Sequence, residues 1–248
     1  MKQRIPNDYI IYQILVPSLH KKLKFRPFTI KENKALTIAQ STGDDLVISD
    51  TLKNVIINCC VDQHQLTEDQ LMVFDLEYLL IKLRAISIGN TVLLTAMCED
   101  EHDGFPPSTR ETDVVMDLND VEIVGIDSFT QKIQLSDDMF VFMKNPTMDL
   151  IKTLDFEEHS DSEQMINAQL DNVCKMIDKV VAGEEVYLFD SYTDQEKREW
   201  IENLSETQFI NLKHYYSTFP KTQVKISWTC PHCGKENNRI ITGLSYFF

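Results

Sequence analysis

Cys230-Pro-His-Cys233-Gly is the segment of this sequence best suited to chemistry. Two thiols three positions apart, followed by a glycine, favour a tight knuckle that aims both sulfurs at one point. Half of a zinc ribbon is built that way. Zinc takes about four ligands, so two more must come from elsewhere. Cys98 and His102, in a second loop, are the candidates for completing the set, and His232 is less suited because it lies inside the knuckle. The same spacing serves a redox dithiol, but that role places the first cysteine at a helix N-terminus, whereas this pair precedes a returning strand. The plainer alternatives are a metal-free hairpin tip for Cys230 and Cys233, and a strand-end thiol with a solvated histidine for Cys98 and His102.

Other chemistry is sparse. Glu99, Asp100, Glu101 and Asp103 form an acidic loop, but the run lacks the glycine and the alternating oxygen ligands of a calcium loop. No GxSxG, HExxH or glycine-rich phosphate loop is present. No catalytic residue is expected, and the chain does not read as an enzyme. Cys59, Cys60 and Cys174 fall on apolar helix faces and are expected to be buried as small hydrophobes. The terminal Tyr246-Phe247-Phe248 either docks on the hairpin it follows or anchors in a partner, since aromatic side chains dominate interface hot spots.

The elements that must position these residues follow from periodicity. Residues 9–16 and 23–28 suggest an N-terminal hairpin or extended arm. Helices are expected over 31–40 and 50–60. A stronger helix over 71–84, with Thr67 as N-cap and Gln70 completing a capping box, repeats Leu71, Phe74, Leu76, Leu79, Leu80 and Leu83 at helical spacing. Strands over 91–97 and 112–123 flank the loop that carries Cys98 and His102, and Ile133 to Phe142 is a mixed segment. A helix is expected over 165–181, with Ile166, Leu170, Val173, Ile177 and Val180 on one stripe, and further helices over 194–204 and 205–219. Strands over 224–229 and 239–242 flank the Cys230 knuckle. The fold class is α+β, mostly helical with two β-hairpins, and a faint echo between Leu66-Thr-Glu-Asp-Gln-Leu and Leu204-Ser-Glu-Thr-Gln-Phe suggests duplicated helix-plus-hairpin halves. The acidic stretch 157–163 suggests a boundary, with an N-terminal α+β domain over 1–148 and a C-terminal helical domain over 149–248 that ends in the CxxC hairpin.

Composition sets the partners. Of 248 residues 43% are apolar, enough for a substantial core, and only 7 are glycine, which argues against a glycine-rich barrel or a dinucleotide-binding enzyme. The 24 basic and 39 acidic residues give a net charge of −15, which repels phosphate backbones and anionic membranes and suits basic protein surfaces. Six cysteines, two of them adjacent, do not form a disulfide framework in a chain this long. The N-terminus lacks an export signal and no run of 18 apolar residues exists, so the sequence reads as a soluble protein of a reducing cytoplasm, with no membrane and no small-molecule substrate.

Three blocks are distinctive together: Lys24-Phe-Arg-Pro-Phe-Thr-Ile-Lys-Glu-Asn-Lys-Ala-Leu36, Phe74-Asp-Leu-Glu-Tyr-Leu-Leu-Ile-Lys-Leu-Arg-Ala-Ile-Ser-Ile-Gly89 with a hairpin after it, and the Cys230-Pro-His-Cys-Gly hairpin closing on Gly243-Leu-Ser-Tyr-Phe-Phe. In this order, spanning nearly the whole chain, they resemble the baseplate hub subunit and hub assembly chaperone family of T-even-type myophages. The resemblance implies a late phage protein that helps build the central hub of a contractile-tail baseplate. Its partners would be other hub or tail proteins, met in the host cytoplasm during assembly or kept in the virion. The resemblance also implies a cysteine-containing turn at the first hairpin tip; here that tip is Cys98-Glu-Asp-Glu-His102, with no second cysteine. Arg26 and Phe28 in the first block, with Phe247 and Phe248 at the tail, are the expected partner-binding residues. Two competing readings remain. One is a zinc-ribbon nucleic-acid or polymerase accessory protein, which the acidic balance opposes. The other is a thiol oxidoreductase using Cys230 and Cys233, which the hairpin context opposes.

Overall fold

A computed structural model describes residues 8–67, 70–155 and 161–243, apart from the side chain of Asp45. In chain order the elements are β1 (Tyr12–Val16), β2 (Lys21–Phe25), α1 (Ile30–Thr42), α2 (Asp45–Cys59), α3 (Val73–Ser87), β3 (Thr91–Met97), β4 (Glu111–Asp117) and β5 (Glu122–Val124). There follow β6 (Lys132–Gln134), β7 (Met139–Met143), α4 (Met148–Ile151), α5 (Ser162–Met176), β8 (Ile177–Ala182), β9 (Glu185–Leu188), α6 (Asp194–Glu202), α7 (Glu206–His214), β10 (Lys221–Thr229) and β11 (Glu236–Thr242). The fold is α+β, with every strand pair antiparallel among the described residues.

Contacts divide the chain into one compact unit made of residues 1–124 with 221–248, and a second made of 125–220. This differs from the division expected at 148/149. The cause is a three-residue pairing: β5 joins β10 with Val124 opposite Lys221, which returns the last hairpin to the first unit and leaves 125–220 as an insertion. Both hairpins that carry the candidate ligands therefore belong to one unit, rather than closing separate halves.

In the first unit α3 supplies the spine. Phe74, Leu76, Leu79, Leu80, Ile81 and Leu83 are all buried, as the helical spacing requires. The helix starts at Val73 rather than Leu71, because the Asp75 carboxylate accepts the Met72 backbone N–H at 3.0 Å, while Gln70 accepts the Thr67 N–H at 3.2 Å in a separate turn. Around Ile81 pack Ala96, Val114 and Met116 of the β3–β4 hairpin and Val224, Ile226 and Ile241 of β10–β11. One core thus fixes both hairpins. The β1–β2 hairpin buries Ile14, Val16, Leu23 and Phe25 in strict alternation, and β2 runs on into backbone bonds with the end of α2, Arg26 N–H to Cys59 O at 2.9 Å and Val61 N–H to Lys24 O at 2.8 Å.

Arg26 closes this corner. Its guanidinium donates to both oxygens of Glu32 (2.5 and 3.0 Å) and to the carbonyls of Pro27 and Asn58 (3.0 and 2.9 Å), and it lies over the Tyr9 ring. Burial pushes the Glu32 carboxyl up, but hydrogen bonds from Arg26 and Thr29 outweigh it and hold the group down at about 2. The folded value lies below the ordinary 4.5, so this stabilisation is complete above that pH and drains away as pH falls toward 2. Urea titrations at neutral pH and at about pH 2.5 should show wild type losing about 2 kcal/mol more than Glu32→Gln on acidification. Equal losses would contradict the assignment.

The second unit sets β6-β7-β8-β9 against α5, α6 and α7. The helix expected to run to residue 181 stops at Met176. The segment Ile177 to Val181, with β-branched Ile177, Val180 and Val181, instead pairs with β7, where Val141 faces Val180, and buries Ile177 and Val180 from a sheet. Tyr215 is buried and donates its hydroxyl to the Lys144 carbonyl at 2.9 Å, so its one polar atom is satisfied. Among the described residues no helix is long and apolar enough to cross a membrane.

Candidate metal centre

The tips of the β3–β4 and β10–β11 hairpins bring Cys98, His102, Cys230 and Cys233 together, with one ligand atom from each inside a mutual distance of 4.8 Å. Cys98 directly follows β3: its N–H donates to the Arg110 carbonyl at 2.8 Å, and its own carbonyl accepts Arg110 Nε and a guanidinium NH2 at 3.1 and 2.9 Å. This clamp fixes where Cβ points. Cys230 directly follows β10, and the knuckle turns through Gly234, whose N–H donates to the Cys230 carbonyl at 2.9 Å while Cys230 N–H donates to Lys235 O at 2.8 Å. Gly234 has φ +75°, a left-handed conformation that side chains with a Cβ rarely adopt.

The spacing fits a tetrahedral ion. With metal–sulfur bonds of about 2.3 Å, two sulfurs on a tetrahedron stand about 3.8 Å apart, and a sulfur and a nitrogen about 3.6 Å. Cys98 Sγ and Cys233 Sγ are 3.8 Å apart, and Cys230 Sγ and His102 Nε2 are 3.7 Å apart. The histidine is also set in the right tautomer. Thr109 donates its hydroxyl proton to the Pro106 carbonyl at 2.8 Å, so its oxygen accepts from His102 Nδ1 at 3.0 Å. With the proton on Nδ1, Nε2 carries the free lone pair that a cation needs. Cys98 and Cys230 are buried, His102 is half-buried and Cys233 is exposed.

Asn237, nearly fully buried, ties the two tips: its side-chain oxygen accepts the Glu99 N–H at 3.1 Å and its amide donates to Lys235 O at 3.0 Å. Lys235 bridges Asp100 at 2.6 Å and Glu99 at 3.4 Å, so part of the acidic loop is neutralised locally. The His232 ring lies tilted against His102 with centroids 4.5 Å apart and meets Phe105 edge-on, and it is not one of the four clustered residues. The backbone N–H of Cys233 holds the Cys230 thiol below its ordinary value. Cys233 is shifted up: the Lys235 N–H favours its thiolate, but desolvation and the neighbouring Cys230 and Cys98 sulfurs outweigh that. The cluster can hold a metal ion.

The four residues that the structure brings together were legible as candidate ligands from their types and spacings. Thr109, Arg110 and Asn237 were not, because each acts through a partner that only the fold brings near. Of the remaining cysteines, Cys59 and Cys60 are buried as expected and Cys174 is half-buried; burial pushes Cys59 up to about 12 and Cys174 up to about 11, and raises Cys60 as well. Of the expected partner-binding residues, Arg26 spends its donors inside the chain and Phe28 is half-buried with its N–H on Ser87 Oγ at 2.9 Å, while Phe247 and Phe248 lie outside the described residues.

No curated protein and no solved structure matches the chain. A family described as T4 bacteriophage base plate protein matches residues 9–248, a span that takes in both compact units and all four clustered ligands. The chain belongs to the T4 bacteriophage base plate protein family.

Proposed function

We propose that the protein helps assemble the central hub of the phage baseplate, as a hub subunit or an assembly chaperone, through non-covalent contacts with other hub and tail proteins and without catalysis. The family match over residues 9–248 carries the baseplate reading. The blocks at Lys24–Leu36, Phe74–Gly89 and the Cys230 hairpin support the narrower hub assignment. A charge of −15 suits a factor that must stay soluble in the host cytoplasm while it covers sticky, basic surfaces on its partners. It opposes the zinc-ribbon nucleic-acid alternative, which needs a basic face. The protein would then either remain in the virion's tail baseplate or leave before completion.

In this reading the ion held by Cys98, His102, Cys230 and Cys233 is zinc, in a structural role. Four protein ligands fill a tetrahedral site and leave no open position for water or substrate. The zinc would clasp two hairpins that lie far apart in sequence.

The test is a pull-down of the tagged full chain from phage-infected cells, with cross-linking before lysis. Hub and tail proteins are expected in the eluate. Phe28→Ala is the informative variant, because Arg26→Ala would weaken the fold as well as any contact. Recovery of polymerase subunits or nucleic acid without tail proteins would overturn the proposal.

A further inference from the structure

The edge strand β9 is unusual. All four of its residues are exposed, and Val186 and Leu188 show 57% and 60% of their surface. Natural sheet edges are guarded by lysine, proline, bulges or a covering element, since an open edge recruits another strand. β9 has no lysine and no proline; its guards are its four-residue length and Glu185 at its start, which leave Val186, Tyr187 and Leu188 as an apolar run. The opposite edge of the same sheet, β6, is three residues long and begins with Lys132.

A pocket of about 440 Å³ opens beside β9, lined by Tyr187, Phe189, Tyr192 and Trp200, with Val180 and Met139 at its base. Tyr187 faces this pocket, whereas Val186 and Leu188, one position either side, face the other side of the sheet. A strand laid along β9 would therefore drop alternate side chains into the aromatic pocket and set the others on Val186 and Leu188. Aromatic pockets of this kind accept apolar anchors and the stems of basic side chains.

The rim selects the partner's charge. Glu196 lines the pocket, Glu185 opens β9 with Glu184 just before it, Asp190 follows β9, and Asp194 opens α6. Lys197, itself in the pocket lining, and Lys144 offset Asp190 and Asp194, so Glu184, Glu185 and Glu196 carry the rim's remaining charge. Lys197 lies 3.9 Å from Asp190 and 3.5 Å from Asp194, Lys144 lies 2.9 Å from Asp190, and Lys179 turns onto the Phe142 ring. Pairing between two copies of this chain would juxtapose the two acidic rims, in a protein that already carries −15.

We infer that β9 and its aromatic pocket form a docking site for an extended segment of a partner protein, alternating apolar with lysine or arginine side chains, which adds a fifth strand to the sheet. Main-chain hydrogen bonds along the edge supply affinity, and the pocket and rim supply specificity. This rests on the proposal that the protein acts through protein contacts, and narrows it to one surface and one chemistry of partner.

The test uses the full chain and two capped synthetic heptapeptides, Lys-Val-Lys-Phe-Lys-Val-Lys and its glutamate counterpart, at low salt. Amide chemical-shift mapping should place the basic peptide along β9 and at the Trp200 indole, with affinity at least about tenfold above that of the acidic peptide. The double variant Val186→Lys, Leu188→Lys alters only exposed side chains and should lose the basic peptide by a similar factor, with an unchanged circular dichroism spectrum. Shifts centred elsewhere, equal binding of the two peptides, no binding at millimolar concentration, or indifference to the double lysine would overturn the inference. Concentration-dependent dimerisation that shields β9 would also overturn it, in favour of a second copy. None of these outcomes depends on which proteins the infected-cell pull-down recovers, so the two proposals fail separately.

Discussion

Cys98→Ser is expected to purify with less than about a tenth of the wild-type zinc and to unfold at lower denaturant. Cys98 is the buried candidate ligand at the tip of the β3–β4 hairpin, and its replacement leaves three donors for an ion that takes about four. By mass action a site filled at a hundred times its dissociation constant stabilises the folded state by about 2.7 kcal/mol, and tighter binding adds more. The variant should lose at least that much. A buried cysteine can also matter through packing, so the comparison includes a chelator. Chelation should bring wild type down toward the variant while leaving the variant unchanged, because only wild type has zinc to lose. Stability that ignores chelator in both proteins would show that the hairpins are held by their core alone.

The largest effect away from the cluster is expected at Ile81. Its side chain has no exposed surface, and it packs among residues of both ligand-bearing hairpins. Ile81→Ala removes buried carbons and leaves a cavity where α3 and the two hairpins meet. The expected loss is about 2–5 kcal/mol in urea unfolding. Leu93 serves as the control on the same hairpin: it is 66% exposed, and Leu93→Ala should change stability by less than about 0.5 kcal/mol. Ile81→Ala should also weaken zinc retention, since the core that sets the hairpin tips at tetrahedral spacing is the core it loosens. Equal effects of the two substitutions would refute the placement of this core.

How far the sequence carried these conclusions depends on how local each signal was. The Cys230 knuckle was readable because proline, glycine and two cysteines define a turn within five residues. β3 was readable to its ends, Thr91 and Met97, because glycine-asparagine precedes it and the acidic loop follows. The last five residues of the expected 165–181 helix fold as strand for a physical reason. Ile177 and Val180 continue the apolar stripe of α5 at helical spacing, yet they are β-branched and find a strand partner in β7. The domain division failed because it depends on β5, three residues long, meeting β10 about a hundred positions later. No local pattern encodes that pairing. The same limit hid Thr109 and Asn237. A threonine in a proline-rich loop and an asparagine in a strand carry no mark of the histidine and backbone groups they will hold.

The chain's place in a baseplate family and the chemistry of its hairpin cluster meet in one claim, that a zinc ion clasps Cys98 and His102 to Cys230 and Cys233. Native mass spectrometry of the full-length protein, purified without chelator and probed in parallel with a maleimide, tests it most directly. The account predicts a mass equal to the chain plus one zinc ion, with the exposed Cys233 protected from labelling until a chelator is added. A metal-free chain whose Cys233 labels at once would contradict it.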